Sequence, residues 1–260
     1  MLTPELLESL TDQLDAALQS GRECTRLTLQ MPDLSLDDAY AIQAAGIERR
    51  VARGERITGY KMGLTSKAKR DQMNLNSPVY GVLTDRMQVA DNGPFSLSFG
   101  IHPKIEPEIA FLIGAPLSGH VTREQVRDAC MGVAAALEIL DSRYVGFKYF
   151  SLPDVIADNC SSSHYILSSQ MFAADMDVGD LAMAMAINGT VVQSASSAAI
   201  SGHPLDSVVQ LCAMLAEHGK SLMPGQIVLA GAATLAEALS PGLDVSLDVE
   251  SLGRVSVRMA

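Results

Sequence analysis

The sequence has no tryptophan, few basic side chains and no long apolar segment. Its 19 lysine and arginine residues are outnumbered by 30 aspartate and glutamate residues, which gives a formal net charge of −11. Because such a chain repels polyanions, we expect neither a nucleic acid nor an anionic membrane surface as a partner. The N-terminus lacks the basic and apolar regions of a signal peptide, and no apolar run approaches the length of a membrane span.

Cysteine and histidine are also sparse. The chain has four cysteines and five histidines, and neither a C-x-x-C nor an H-x-x-x-H spacing occurs. This pattern excludes the usual zinc motifs. Scattered cysteines without a targeting signal predict a reducing, cytoplasmic location.

The first 55 residues are predicted to form a helical cap. Thr3, Pro4 and Glu5 supply an N-cap, a proline at the first helical position and an acid facing the helix dipole. Leucines then recur at helical spacing as far as Gly21. A second amphipathic helix is predicted from Ser35 to Gly54.

From residue 56 the pattern changes to short strands and turns. Asn92-Gly93 and Asn188-Gly189 are typical of β-hairpin turns. Helices are predicted at about 122–131 and 204–218, and alternating strands surround a turn at Leu252-Gly253. We therefore predict an α+β protein with a largely antiparallel sheet. The 260 residues suit one domain, with a cap at 1–55 and a β-rich catalytic core at 56–260.

Two carboxylates share a face of a predicted strand around residues 102–113. Residues two apart on a strand point the same way, so Glu106 and Glu108 lie side by side. Adjacent carboxylates repel unless a cation lies between them, and a hard divalent cation suits oxygen ligands. A solvated strand face is the alternative for this motif taken alone.

A third carboxylate, Glu138, occurs in the apolar run from Gly132 to Leu140. Such a run is predicted to be buried, and an ionised side chain there needs a partner or a proton. Three carboxylates from two strands suit Mg²⁺ or Mn²⁺, which retain water molecules that a substrate can displace.

Other positions allow two interpretations. Lys61 lies beside small residues in an apolar strand, where it is either a surface lysine or a functional cation that faces an anionic substrate or donates a proton. Arg143 either binds a substrate carboxylate or pairs with Asp141. Residues 154–163 combine hydrogen-bonding side chains in a predicted loop, which is either turn chemistry or a segment that lines the substrate.

Five motifs carry a family resemblance: Gly-Tyr-Lys-Met-Gly-Leu-Thr-Ser (59–66), Ser-Pro-Val-Tyr-Gly (77–81), His-Pro-Lys-Ile-Glu-Pro-Glu-Ile-Ala (102–110), Leu-Glu-Ile-Leu-Asp-Ser-Arg-Tyr (137–144) and Ile-Ala-Asp-Asn-Cys-Ser-Ser (156–162). In this order they resemble the 2-keto-4-pentenoate hydratase family, within the fumarylacetoacetate hydrolase superfamily. The resemblance implies a rolled mixed sheet around a divalent metal. It implies Glu106, Glu108 and Glu138 as metal ligands, Lys61 as the active-site lysine and Ser161 as a substrate-lining residue.

The family has a hydratase branch and a decarboxylase branch, which act in succession in the meta-cleavage degradation of aromatic compounds. Hydratases have Pro-Asp-Phe-Gly where this chain has Pro78-Val79-Tyr80-Gly81, and Val79 cannot handle the proton of a water molecule. The resemblance therefore implies decarboxylation of the 2-oxo dicarboxylate 2-oxo-3-hexenedioate, with Val79 near the departing carboxylate.

Three other functions stay open: hydration of 2-hydroxypenta-2,4-dienoate, hydrolytic C–C cleavage of an acylpyruvate, and a subunit that only stabilises a partner enzyme. The resemblance also implies a homo-oligomer that docks with the hydratase of its pathway.

Overall fold

The computed structural model describes residues 1–66, 77–147 and 151–260. Its α-helices are α1 (Pro4–Ser20), α2 (Leu36–Ala52), α3 (Arg123–Ala129), α4 (Leu152–Ala157) and α5 (Pro204–Glu217). Within these ranges, none of the helices is both long enough and apolar enough to cross a membrane.

The strands fall into two sheets. They are β1 (Ile57–Gly63), β2 (Val79–Thr84), β3 (Gln88–Val89), β4 (Gly93–Phe95), β5 (Lys104–Ile113), β6 (Cys130–Leu140), β7 (Ser162–Leu167), β8 (Ala182–Ile187), β9 (Thr190–Ser196), β10 (Ile227–Leu229), β11 (Glu237–Ala238), β12 (Asp244–Val249) and β13 (Gly253–Met259).

The larger sheet has eight strands and curls into a half barrel. Its order is β2-β1-β10-β5-β6-β7-β3, with β11 paired to β5. The smaller sheet has five strands in the order β4-β13-β12-β8-β9. Most strand pairs are antiparallel, which confirms the predicted α+β class with a rolled, mixed sheet.

The two N-terminal helices form as their local chemistry predicts. The Thr3 side chain accepts a hydrogen bond at the start of α1, and Gly21 ends the helix in the left-handed conformation. Ser35 caps α2 in the same way. Arg53 pairs with both carboxylate oxygens of Asp15 at 2.8 Å and joins the two helices. A capping box of Thr122 and Gln125 starts α3, the helix predicted at about 122–131.

One of the two predicted β-hairpin turns is wrong. Asn188-Gly189 connects β8 and β9 in an antiparallel hairpin, as expected. Asn92-Gly93 connects β3 and β4, which belong to different sheets and pair in parallel with β7 and β13. A favourable turn dipeptide bends the chain locally, but long-range pairing decides where the following strand goes.

Side-chain alternation divides the larger sheet into two chemically different faces. Ile105, Ile109 and Phe111 of β5 join the main apolar core, which includes the smaller sheet and α5. The intervening residues of β5, Glu106 and Glu108, point to the opposite face. The fold therefore places the charged side chains on the face that the main core does not cover.

The close approach of β1 to β10 depends on Gly59. It pairs with Ile227 in parallel register, and its φ is +157°. A Cβ atom added at Gly59 would lie 1.9 Å from the backbone oxygen of Ile227. No side-chain adjustment can relieve a contact with the backbone.

We expect Gly59→Ala to separate β1 from β10, because the added Cβ atom overlaps with backbone. The free energy of unfolding, measured by urea denaturation, should fall by roughly 3 kcal/mol or more. Gly46→Ala in α2 is the matched control, since nothing lies within 4 Å of its added Cβ atom. Removing a helical glycine should stabilise the protein by about 0.5–1 kcal/mol. Equal free energies of unfolding for the two variants would contradict this prediction.

Candidate metal centre

The three predicted carboxylates meet on neighbouring strands. Glu106 of β5 lies directly opposite Glu138 of β6 in antiparallel register, and Glu108 follows two residues along β5. One carboxylate oxygen from each residue lies within 4.8 Å of the others. Because the pleat turns all three to one face, the sheet itself builds the cluster.

Burial makes these carboxylates hard to ionise. Glu108 and Glu138 are fully buried. Burial raises the pKa of Glu108 well above its usual value, and the charges of Glu138 and Glu106 raise it further. Burial also raises the pKa of Glu138, against the opposing effect of Lys61. A backbone N–H donated by Gly231 holds Glu108 Oε2 at 2.7 Å.

Lys61 is a buried ammonium group on β1 and is not a surface lysine. Its side chain is 2% exposed, and Nζ lies 2.9 Å from Glu138 Oε2. Burial alone would lower the pKa of Lys61, but the carboxylates of Glu138, Glu106 and Glu108 outweigh burial and raise it. Lys61 is therefore held in its charged form beside the cluster.

The cluster has the chemistry of a divalent cation site. If all three carboxylates ionise, Lys61 offsets one of the three negative charges and leaves a formal excess of two. In addition, Glu108 Oε1 and Glu138 Oε1 have no hydrogen-bond donor in the described part of the chain. Buried carboxylate oxygens without donors are expensive unless a cation binds them. The oxygen-only ligand set fits a hard ion such as Mg²⁺ or Mn²⁺.

A cavity of about 120 Å³ opens beside the cluster. Lys61 and Glu106 line one part of it, whereas Leu64, Val79 and Val155 supply apolar walls. Val79 is 2% exposed. The structure thus brings together five of the predicted site residues, namely Lys61, Val79, Glu106, Glu108 and Glu138.

Ser161 lies next to this group in a strained turn. The segment predicted as a loop at 154–163 is partly the helix α4, followed by three left-handed residues, Asn159, Cys160 and Ser161, with φ of 47°, 53° and 58°. None of the three is glycine, and each left-handed residue costs about 1–2 kcal/mol. Cys160 lines the cavity. Ser161 is buried, and its Oγ has no hydrogen-bond partner among the described residues.

Arg143 is not brought to the cavity. Its Nε donates to Asp158 Oδ1, and another nitrogen donates to the backbone oxygen of Asp158. The remaining nitrogen donates to the backbone oxygens of Asp141, at 2.7 Å, and Ser162, at 3.2 Å. Each guanidinium nitrogen therefore donates a hydrogen bond to an oxygen of the protein itself. Neither the pairing with the Asp141 carboxylate nor a free guanidinium for a substrate is present.

Two features of the site were missed in the sequence. Gly231 has a φ of +113°, and a Cβ atom there would lie 2.4 Å from Thr65 Oγ1. This glycine allows its N–H to reach Glu108, but a glycine after a strand is a weak signal. The apolar residues Leu140 and Val155 also line the cavity, and in the sequence they are indistinguishable from core residues.

The raised pKa values of Glu108 and Glu138 predict that Mg²⁺ stabilises the protein more at higher pH. Above the ordinary pKa of 4.5, the unfolded carboxylates lose protons that the metal-free folded protein retains, so its stability falls as pH rises. Metal binding needs the deprotonated groups. The increase in melting temperature caused by Mg²⁺ should therefore grow from about pH 5 to about pH 8.

Thermal melts with and without Mg²⁺ across this range test the prediction. Glu108→Gln removes one titrating ligand and should abolish the Mg²⁺ effect at every pH. An Mg²⁺ effect that is constant over the range in the unchanged protein would contradict it.

Comparisons with known proteins agree with this geometry. Residues 55–260 match the family model described as fumarylacetoacetate (FAA) hydrolase C-terminal. The chain is 41% identical over 250 residues to a 4-oxalocrotonate decarboxylase from a Pseudomonas species, which covers 96% of each protein. It is 34% identical over 256 residues to a 2-keto-4-pentenoate hydratase from Paraburkholderia xenovorans LB400, covering 98% of this chain and 95% of that protein.

A solved structure is similar over the whole chain. The 4-oxalocrotonate decarboxylase from Pseudomonas putida G7, complexed with magnesium and adipate, superposes with a TM-score of 0.96 and is 38% identical. The match covers 100% of this chain and 99% of that chain. These findings confirm the resemblance seen in the motifs. The chain belongs to the fumarylacetoacetate hydrolase family.

Proposed function

We propose that this protein is a divalent-metal-dependent carboxy-lyase that converts 2-oxo-3-hexenedioate (4-oxalocrotonate) into 2-hydroxypenta-2,4-dienoate and CO₂ in the meta-cleavage degradation of aromatic compounds. The observation that carries the proposal is Val79, a buried apolar side chain in the cavity wall beside the carboxylate cluster. Greater identity to a decarboxylase, 41%, than to a hydratase, 34%, supports the same choice.

The reaction breaks the bond between C5 and C6 of the substrate. The electron pair moves through C4 and C3 to the C2 oxygen and leaves a dienolate, which becomes the product when this oxygen takes a proton. When bound at Glu106, Glu108 and Glu138, a divalent ion would supply a Lewis acid for the C1 carboxylate and the C2 oxygen.

The chain's own residues then have distinct roles. Lys61, which is charged and lies in the cavity wall, would either orient the substrate by donating a hydrogen bond to the developing oxyanion or manage proton transfer at the dienolate. Val79 and Val155 exclude water from the departing carboxylate, which favours the change from an anion to neutral CO₂. Ser161, with its hydroxyl group uncommitted, is the proposed substrate-lining donor.

The ligand set and the cysteines indicate the cofactor and the compartment. The oxygen-only ligand set favours Mg²⁺ or Mn²⁺, and the free thiols of Cys24, Cys130, Cys160 and Cys212 suit a reducing cytoplasm.

We further propose a homo-oligomer that docks with the hydratase of its pathway, because the dienol product is unstable. Light scattering should give a mass above that of one chain, and co-expression with a cognate hydratase should yield a complex. A monomer that forms no complex would contradict this part.

The direct test of the function is to incubate the purified protein with 2-oxo-3-hexenedioate and Mg²⁺ and to follow CO₂ and the dienoate separately. Equal molar release of both, abolished by EDTA, is the expected result. Efficient hydration of 2-hydroxypenta-2,4-dienoate, with 2-oxo-3-hexenedioate left unchanged, would overturn the proposal in favour of a hydratase.

Val79→Asp should slow decarboxylation, because it places a negative charge beside the departing carboxylate. Two like charges about 4 Å apart repel by roughly 4 kcal/mol at an effective dielectric constant of 20. Before relaxation and screening this corresponds to a loss in kcat/KM of up to about a thousandfold, because the repulsion opposes capture of the anionic substrate. Val79→Asn, of the same size but neutral, should lose much less. If both variants show the same kcat/KM, charge at position 79 does not control the reaction.

A further inference from the structure

The side chain of Asn159 makes two hydrogen bonds between the left-handed turn at 159–161 and the edge strand β2. The carboxamide of Asn159 donates from Nδ2 to the backbone oxygen of Val82 at 2.9 Å and accepts at Oδ1 from the backbone N–H of Val82 at 2.8 Å. β2 is the first strand of the larger sheet. Asn159 therefore makes the two hydrogen bonds that a neighbouring strand would make with Val82.

A second feature shows that the turn must lie close to β2. A Cβ atom at Gly81 would be 2.7 Å from the backbone oxygen of Asn159. The Cys160 thiol also donates to the backbone oxygen of Tyr80 at 3.1 Å. The contacts of Asn159 thus belong to a close packing of the turn against three consecutive residues of the strand.

The turn controls the surroundings of Lys61. The backbone oxygen of Cys160 accepts a hydrogen bond from Lys61 Nζ at 3.4 Å. Asn159 and Cys160 are both left-handed where this carbonyl group leaves the chain, and non-glycine residues hold that conformation only when other contacts enforce it. On the other side of the turn, Arg143 binds the backbone oxygens of Asp158 and Ser162.

We propose that Asn159 is a positioning residue: its paired hydrogen bonds to Val82 hold the Cys160 carbonyl group against Lys61 and fix the direction of the ammonium group in the cavity. The inference rests on the proposed function only in that the misplaced Lys61 would slow decarboxylation. The metal ligands lie on β5 and β6, whereas Asn159 binds β2, so we expect metal binding to depend on Asn159 only through Lys61 and to change little when Asn159 is replaced.

Asn159→Gly is the informative variant, because glycine adopts the left-handed conformation freely and only the side-chain hydrogen bonds are lost. We expect kcat to fall by roughly 10- to 100-fold, since small displacements of a catalytic group have effects of this size. KM and the affinity for Mn²⁺ should change by no more than about threefold.

Asn188→Gly is the matched control. Asn188 is also left-handed, with a φ of 49°, and its Oδ1 accepts from the backbone N–H of Asp244 at 2.9 Å. It lies in the exposed β8–β9 hairpin. The control gives up one exposed side-chain hydrogen bond rather than two buried ones, so it should lose less thermal stability. It should retain the kcat of the unchanged protein.

A merely structural role for Asn159 predicts a lower melting temperature with an unchanged kcat per folded molecule, and that result would overturn the proposal. Loss of Mn²⁺ affinity in parallel with kcat would also overturn it. If Asn159→Gly does not fold, Asn159→Asp keeps the shape and the acceptor for Val82 N–H, and its kcat should fall in the same way while Mn²⁺ still binds.

Hydrogen–deuterium exchange separates this proposal from the proposed function. Asn159→Gly should speed exchange at the amides of Val82 and Ser161, whereas Asn188→Gly should not. If the unchanged protein fails to decarboxylate 2-oxo-3-hexenedioate, the proposed function is wrong. The exchange rates then decide by themselves whether Asn159 holds the turn. Unchanged exchange at both amides in Asn159→Gly would refute the positioning role of Asn159.

Discussion

The electrostatics of the site depend on the contact between Lys61 and Glu138 inside the larger sheet. Two opposite charges buried 2.9 Å apart attract strongly, yet removing both from water costs several kcal/mol for each ion. Such a pair contributes little net stability, so its charge matters mainly for the groups around it. Here Glu106 and Glu108 add two further carboxylates within 4.8 Å, so the cluster keeps a negative excess that a divalent cation would neutralise.

The fold makes this arrangement out of simple strand geometry. Alternate residues of β5 either enter the main core or face the cluster, and Glu138 lies directly opposite Glu106 on β6. β1 brings Lys61 to the same face through its pairing with β10. The strands β1, β5 and β6 therefore hold the charged groups. The apolar wall comes from Val79 on β2, Val155 on α4 and Leu140 at the end of β6.

Local chemistry in the sequence predicted much of this. The caps at Thr3 and Ser35 act within a few residues, so they can be recognised without tertiary information. Glu138 could be singled out because a charge within an apolar run needs a partner. By contrast, Arg143 binds Asp158, fifteen positions along the chain, and the left-handed turn at 159–161 contains no glycine to signal it. Both features are decided by tertiary contacts that a linear pattern does not contain.

The central claim is that the buried carboxylates form one divalent cation site, and calorimetric titration of the purified protein with Mn²⁺ tests it most directly. We expect one ion per chain in the unchanged protein and a large loss of affinity in Glu138→Gln, because a neutral amide is a poor ligand for a hard cation. Absence of saturable binding, or equal affinity in the variant, would contradict the claim.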